Sequence, residues 1–589
     1  MRKKLLSILL AGTMLTGLLT ACGNQQQVST STETKGTKET NVSSEVQNST
    51  ETQQEEKEMY TIKHVSLNGA STTDHFNQYV KDSAVYKELV KQTSCEIEEF
   101  GLDNDQASIR IASGELGDML KVYGSSNLVT MVENELLLPL NDLIDEYAPG
   151  LWETHGEALE FAKNYFGDGN IYFIPILVGR AATASDVVAR NLYSVRWDLY
   201  KELGYPELKN PDDLVEVLTD MVALEPKTPE GKNVYGASFY VTNTSFFGMS
   251  VKFEDTYGFI DVKGHYVFKD MNGEINYSMI DETGPYWRAV EFYNKCYRAG
   301  ILDPDSFTQQ SSDHNAKIES GEILCNIYNG KGYNSKQLAN DPETIRGFVE
   351  IPVEGTTMYN ANCVLPYGTK VTNSIAIPKS SENPERVMEF IAYICSEDGS
   401  RMISSGVEGI HWDYVDGVPT YNEAALDMLI NGGEEYYKSG IAQEPLMHFR
   451  GLAESALHSD GYPINLRTAA EYKSSVNYSP VQQDFCEYYD VSYPAEIFEQ
   501  YIEEGKIYDL SVHDERLNLG ADNEDILRID STCMQIAVTA IPKLVGAADD
   551  AAFEAVKQDT LKQLKEAGAE EAKAYYVKTW AEAKAALAK

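Results

Sequence analysis

The sequence is poor in positive charge: 49 Lys and Arg stand against 91 Asp and Glu, a formal net charge of −42 over 589 residues. Nucleic-acid binding is built on basic patches, so that class of partner is set aside. A neutral solute such as a sugar suits an acidic surface better than an anionic one does. No Cys-x-x-Cys pair occurs among the eight cysteines, which excludes a disulfide scaffold and a structural zinc site. Beyond the N-terminal segment, no run approaches the ~20 apolar residues of a membrane span. Missing as well are a Gly-x-Ser-x-Gly elbow, a His-Glu-x-x-His helix and a Gly-x-x-x-x-Gly-Lys-Ser/Thr loop. Paired carboxylates for a surface glycoside hydrolase can be found anywhere among 91 acids, and so select nothing.

What is present begins with a secretion signal. Arg2, Lys3 and Lys4 precede an apolar stretch that ends on small residues at Ala21. Residues 24–58 are rich in Gln, Ser, Thr, Glu and Asn and have no aromatic residue. Such a segment buries too little apolar surface to offset its chain entropy and is expected to be a flexible tether. The rest is globular in composition, 42% hydrophobic and 24% charged, and long enough for two or more cores. Tyrosine outnumbers phenylalanine 37 to 19, which suits carbohydrate contact and any other interface alike.

The globular part is organised around Ser113 to Pro149. A buried strand, Met119 to Tyr123, stops at Gly124, and a helix capped by Ser125 or Ser126 follows with Leu128, Met131 and Val132 inward. A strand, a glycine turn and a capped helix put backbone N–H groups and small hydroxyls at the carboxyl end of a sheet, where open α/β folds bind ligands. Strands near Tyr60 to Gly69 and Cys95 to Phe100 alternate with helices near Tyr86 and Ser108, a parallel α/β beginning. Asn210 and Pro211 start a helix with Leu214, Val217, Leu218 and Met221 on one face. Tyr257 to Tyr277 alternates like a hairpin, with Lys263-Gly264 and Asn272-Gly273 turns. Asp270, Asn272 and Glu274 lack the full twelve-residue loop that calcium requires, so no metal site is expected.

Several phrases together resemble the extracellular solute-binding lipoproteins of ABC-type sugar importers, of the large Gram-positive kind. They are SGEL-x-D followed by LLLPLNDLI, the GDGNIYFIPI turn and strand, RWDLY with Gly204, IESGEILCNIYNG, IPKSSENPERVMEFIAYI, and GVEGIHW at Gly406 to Trp412. Leu19-Thr20-Ala21-Cys22 resembles a lipobox, in which Cys22 becomes the lipidated first residue.

The resemblance implies a type II periplasmic-binding-protein-like fold, two discontinuous α/β lobes joined by a hinge, with a helical C-terminal extension. The boundaries it implies are a signal over 1–21, a tether over 22–58, lobe I over 59–182 and 366–405, and lobe II over 183–365 and 406–589. It also implies a ligand held by Tyr123, Ser125 and Ser126 from lobe I, by Tyr240, Asn243, Tyr328 and Asn329 from lobe II, and by Glu408, His411 and Trp412 near a crossing. The partners implied are an oligosaccharide, an ABC permease and, through Cys22, the outer face of a membrane. No cofactor and no catalytic residue are expected. A hydrolase, or a carbohydrate- or peptide-binding surface protein that feeds no importer, is the alternative.

Overall fold

The computed structural model describes residues 57–67, 69–122, 125–179, 193–242, 245–326, 345–358, 374–476, 478–510, 517, 519 and 523–587. In chain order the strands are β1 (Tyr60–Leu67), β2 (Cys95–Leu102), β3 (Met119–Val122), β4 (Ile174–Pro175), β5 (Tyr193–Arg196), β6 (Ile260–Lys263), β7 (Val267–Lys269) and β8 (Ile275–Tyr277). They continue with β9 (Cys325–Asn326), β10 (Phe348–Ile351), β11 (Thr357–Met358), β12 (Ser374–Ala376), β13 (Trp412–Val415), β14 (Val418–Tyr421) and β15 (Tyr508–Asp509). The signal, Cys22 and the segment through residue 56 lie outside the described residues.

Lobe I is built on a five-stranded sheet in the order β2-β1-β3-β12-β4. β1 runs parallel to β2 and β3, and β12 is antiparallel to both its neighbours. Parallel neighbours need crossover helices, and local signals set both of them. Ser83 accepts from the Tyr86 N–H to open helix Ala84–Thr93, and an Asp103/Gln106 capping box opens helix Asn104–Ser113. Gly117, at φ +71, lets the chain pass the Lys63 carbonyl before β3. A Cβ there would sit 2.5 Å from that oxygen.

Lobe II holds the antiparallel sheet β10-β5-β9 and the meander β6-β7-β8, whose turns carry Gly264 at φ +63 and Gly273 at φ +81. Asp270 Oδ1 accepts from the backbone N–H of Asn272 and of Glu274, both at 2.9 Å, so this carboxylate is occupied by its own turn. Helices Asp213–Leu224, Phe247–Thr256 and Pro285–Arg298 surround the core, with Tyr286, Trp287 and Tyr293 fully buried.

The C-terminal helices Glu524–Val545, Asp550–Glu566 and Ala569–Leu587 complete this core rather than forming a separate body. The Asp530 carboxylate accepts from Tyr277 Oη at 2.7 Å, Tyr266 Oη at 3.2 Å and Tyr576 Oη at 2.5 Å. Asn294 Nδ2 donates to the carbonyls of Leu544, Val545 and Ala547 at 3.3, 2.9 and 2.8 Å, satisfying the orphan end of the longest of these helices.

One expected boundary is displaced. Residues after 405 were assigned to lobe II, yet Val407, Ile441, Leu446 and Phe449 belong to the lobe I core. Phe449 packs edge-on against the His64 ring at 4.7 Å, so the segment through 449 covers one face of the first sheet. Chain from Val481 onward joins lobe II.

Candidate functional site

The lobe I strands β1, β2 and β3 end together at Leu67, Leu102 and Val122. A buried polar layer braces these ends. His64 Nδ1 lies 2.5 Å from Glu99 Oε2, and Thr72 Oγ1 donates to Glu99 Oε1 at 2.6 Å. Thr72 opens the helix that follows β1, so this carboxylate ties two strands to the chain above them. Burial alone would raise the Glu99 pKa, but the His64 ring and the Thr72 hydroxyl outweigh it and hold the carboxyl below its ordinary range. In the same layer burial pushes Lys121, one residue before the end of β3, down to about 8 against the pull of Glu444 and Glu99.

The residues expected to touch a ligand are distributed unevenly. Ser125 and Ser126 lie inside the first turn of helix Ser125–Glu133 rather than ahead of it. Tyr123, Asn243, Tyr328 and Asn329 lie outside the described residues. Tyr240 is 9% exposed, its ring 5.7 Å from that of His314. Gly248 lets helix Phe247–Thr256 approach it, because a Cβ there would sit 2.5 Å from the Tyr240 ring.

His411 and Trp412 turn into their own loop. Both are buried and their polar atoms are used inside their own loop: Val407 N–H donates to His411 Nδ1 at 2.9 Å, and Trp412 Nε1 donates to the Gly406 carbonyl at 2.9 Å. Gly406, at φ +90, backs onto the imidazole, where a Cβ would lie 2.6 Å from Nδ1. The Arg401 guanidinium sits 5.9 Å from the Trp412 ring centre. The motif is therefore a packed turn, and only Glu408 of the three is exposed.

Sequence reasoning passed over the polar residues in the lobe II sheet, Ser194, Asn326 and Glu350, and the adjacent Lys252. The usable signal was the lone carboxylate in the apolar run of β10, FVEI. Lys252 lies 5.3 Å over the Tyr193 ring, and burial pushes its pKa down to about 7.

Two α/β lobes with the chain crossing between them are a fold that this chain shares with solved substrate-binding proteins. The particular likenesses are these. Over 244 residues, 40% of this chain and 44% of the relative, the sequence is 25% identical to the fructooligosaccharide ABC transporter substrate-binding protein FusA of Streptococcus pneumoniae serotype 4. Over 354 residues, 58% of this chain and 64% of the relative, it is 23% identical to lipoprotein LipO of Bacillus subtilis. The chain thus spans less than two thirds of each of these curated relatives. The solved structure of S. pneumoniae FusA in complex with kestose superposes with a TM-score of 0.57 over 89% of this chain and 99% of that one, at 16% identity. No family model matches the sequence.

Proposed function

We propose that the protein is a lipid-anchored, extracellular substrate-binding protein that captures an oligosaccharide between its lobes and delivers it to an ABC permease. The observation that carries this reading is the likeness of nearly the whole described chain to a binding protein solved with kestose, joined to a curated relative named for fructooligosaccharide transport. Cys22 is the lipid attachment point and the segment after it the tether. Tyr123, Ser125, Ser126, Tyr240, Asn243, Tyr328, Asn329 and Glu408 are the proposed contacts. Aromatic faces would stack on sugar rings and amides and hydroxyls would fix the ring hydroxyls. A ligand that binds the closed arrangement better than the open one shifts the population toward it, and the permease reads the closed surface.

The test is a thermal-shift screen against fructans, milk-type glycans, mannose-rich glycans and short peptides, with product analysis of every sample. A sugar at 100 times its dissociation constant stabilises by about 2.7 kcal/mol and is recovered intact. Cleaved sugar would replace the reading with a glycoside hydrolase, and a shift with peptides alone would replace the substrate class.

A further inference from the structure

At the end of the lobe II sheet where the chain enters β5, three polar side chains stand in register. Glu350 of β10 pairs with Ser194 of β5, and Ser194 pairs with Asn326 of β9. Register partners on adjacent strands project to the same face, so the three make one row about 10 Å across at the usual strand spacing. Asn326 is the last residue of its strand, and Ser194 is the second residue of β5.

The row is polar where a core sheet should be apolar. Ser194 is 1% exposed and Asn326 2%. Ser194 Oγ and Glu350 Oε1 are both buried without a hydrogen-bond partner. Buried polar atoms in native proteins are overwhelmingly paired, because an unpaired one forfeits its hydration for nothing. Among the described residues, this is the one strand-paired couple in which both side chains carry such an atom. Burial also raises the Glu350 pKa, against the opposing pull of its own backbone N–H and of the Lys252 charge. The contrast with Glu99 in lobe I is direct: that carboxylate has His64 and Thr72 on its two oxygens, whereas the half-buried Glu350 leaves Oε1 with none.

A hydroxyl, a carboxamide and a carboxyl spaced across adjacent strands match the neighbouring hydroxyls of a sugar, each of which donates and accepts. We infer that Ser194, Asn326 and Glu350 form a row on lobe II that binds the hydroxyls of a carbohydrate ligand. This inference rests on the carbohydrate-binding reading above and adds residues that no strand-end or motif argument selected. The apolar-flanked, water-poor setting makes each such bond selective for hydroxyl position, since a ligand lacking the hydroxyl leaves the protein group unpaired.

The test uses the whole chain and two variants, Ser194→Ala and Glu350→Leu, with calorimetric titration of kestose, lacto-N-tetraose and a mannose-rich N-glycan. In the free protein each variant removes an unpaired buried polar atom, so the melting temperature stays level or rises. Affinity for the glycan that the unmodified chain binds falls about tenfold or more, the loss of one well-made hydrogen bond. Opposite signs in the two readouts distinguish ligand binding from packing. A melting temperature and affinity that fall together, or an affinity within twofold of the unmodified chain, overturns the row as a binding element. If the unmodified chain binds none of the three glycans, nor any other carbohydrate in the screen above, the carbohydrate reading itself fails and this inference falls with it.

Discussion

The two lobes solve the same problem with different parts of the chain. Lobe I gathers β1, β2 and β3 from short βα units, each with its own cap, adds β12 from far along the chain, and pairs its buried carboxylate Glu99 with close partners. Lobe II builds its core from residues as far apart as Tyr193 and Trp580, and depends on Asp530 to collect tyrosines 264, 253 and 46 residues away. No residue beyond Phe449 belongs to the lobe I core among the described residues, so change in the last helices should leave it standing. Distant assembly makes lobe II complete only when the last helices arrive.

The sharpest way to break that comparison is to injure lobe II alone. Trp287 is fully buried, donates to the Met279 carbonyl at 3.2 Å and carries Lys557 5.4 Å from its ring centre. Trp287→Ala should cost about 4 kcal/mol, and calorimetry should resolve an early lobe II transition below an unchanged lobe I transition. A single early transition for the whole molecule would show that the lobes fold as one unit. Next in size is Asp530→Ala, which strands three tyrosine hydroxyls and should cost about 3 kcal/mol. Hydrogen exchange should then rise across residues 569–587 and stay level across β1 to β3.

A third experiment addresses lobe I through pH. The Glu99 carboxyl titrates below its ordinary range in the folded protein, so the stability it contributes is present above the unfolded value, near 4.5, and is lost as pH falls through the folded value. Glu99→Gln should cost about 2 kcal/mol at pH 7 and flatten the fall of the lobe I melting temperature between pH 5 and pH 3. An acid limb as steep as that of the unmodified chain would place the responsible carboxylate elsewhere.

How much of this was legible follows the same division. Lobe I's first strands and helices could be read closely because strand-like runs near Tyr60 and Cys95 alternate with helix-like ones near Tyr86 and Ser108, and the caps Ser83 and Asp103 sit at their joins. The same holds for the apolar face of helix Asp213–Leu224, whose Leu214, Val217, Leu218 and Met221 are buried. The lobe II sheet could not be read that way: its strands are two to four residues long, and β5 pairs Arg196 with Phe348, far along the chain. No local pattern marks such a partner. The site shares that blindness. Strand-end logic selected Tyr123 and Tyr328, but Ser194 is an ordinary serine until the pairing sets it beside Glu350. The GVEGIHW motif shows another limit: an aromatic and an imidazole near a crossing read as ligand contacts, whereas Gly406 folds the loop so that their polar atoms pair inside it.

The smallest expected effect tests whether this loop is packing or site. His411→Ala leaves the Val407 N–H without its acceptor and opens a void against Gly406, which should cost about 1 kcal/mol in urea denaturation. Burial lowers the His411 pKa, so the ring is neutral in the folded protein and must accept rather than donate at Nδ1. A folded pKa below the unfolded one means that the stability contributed by this neutral ring is present above pH 6.5 and is lost as pH falls through the folded value. The variant should therefore differ most from the unmodified chain above pH 6.5 and least in acid. Its affinity for any glycan the unmodified chain binds should stay within twofold. A tenfold loss of affinity with unchanged stability would instead put His411 on the ligand and return the motif to the site.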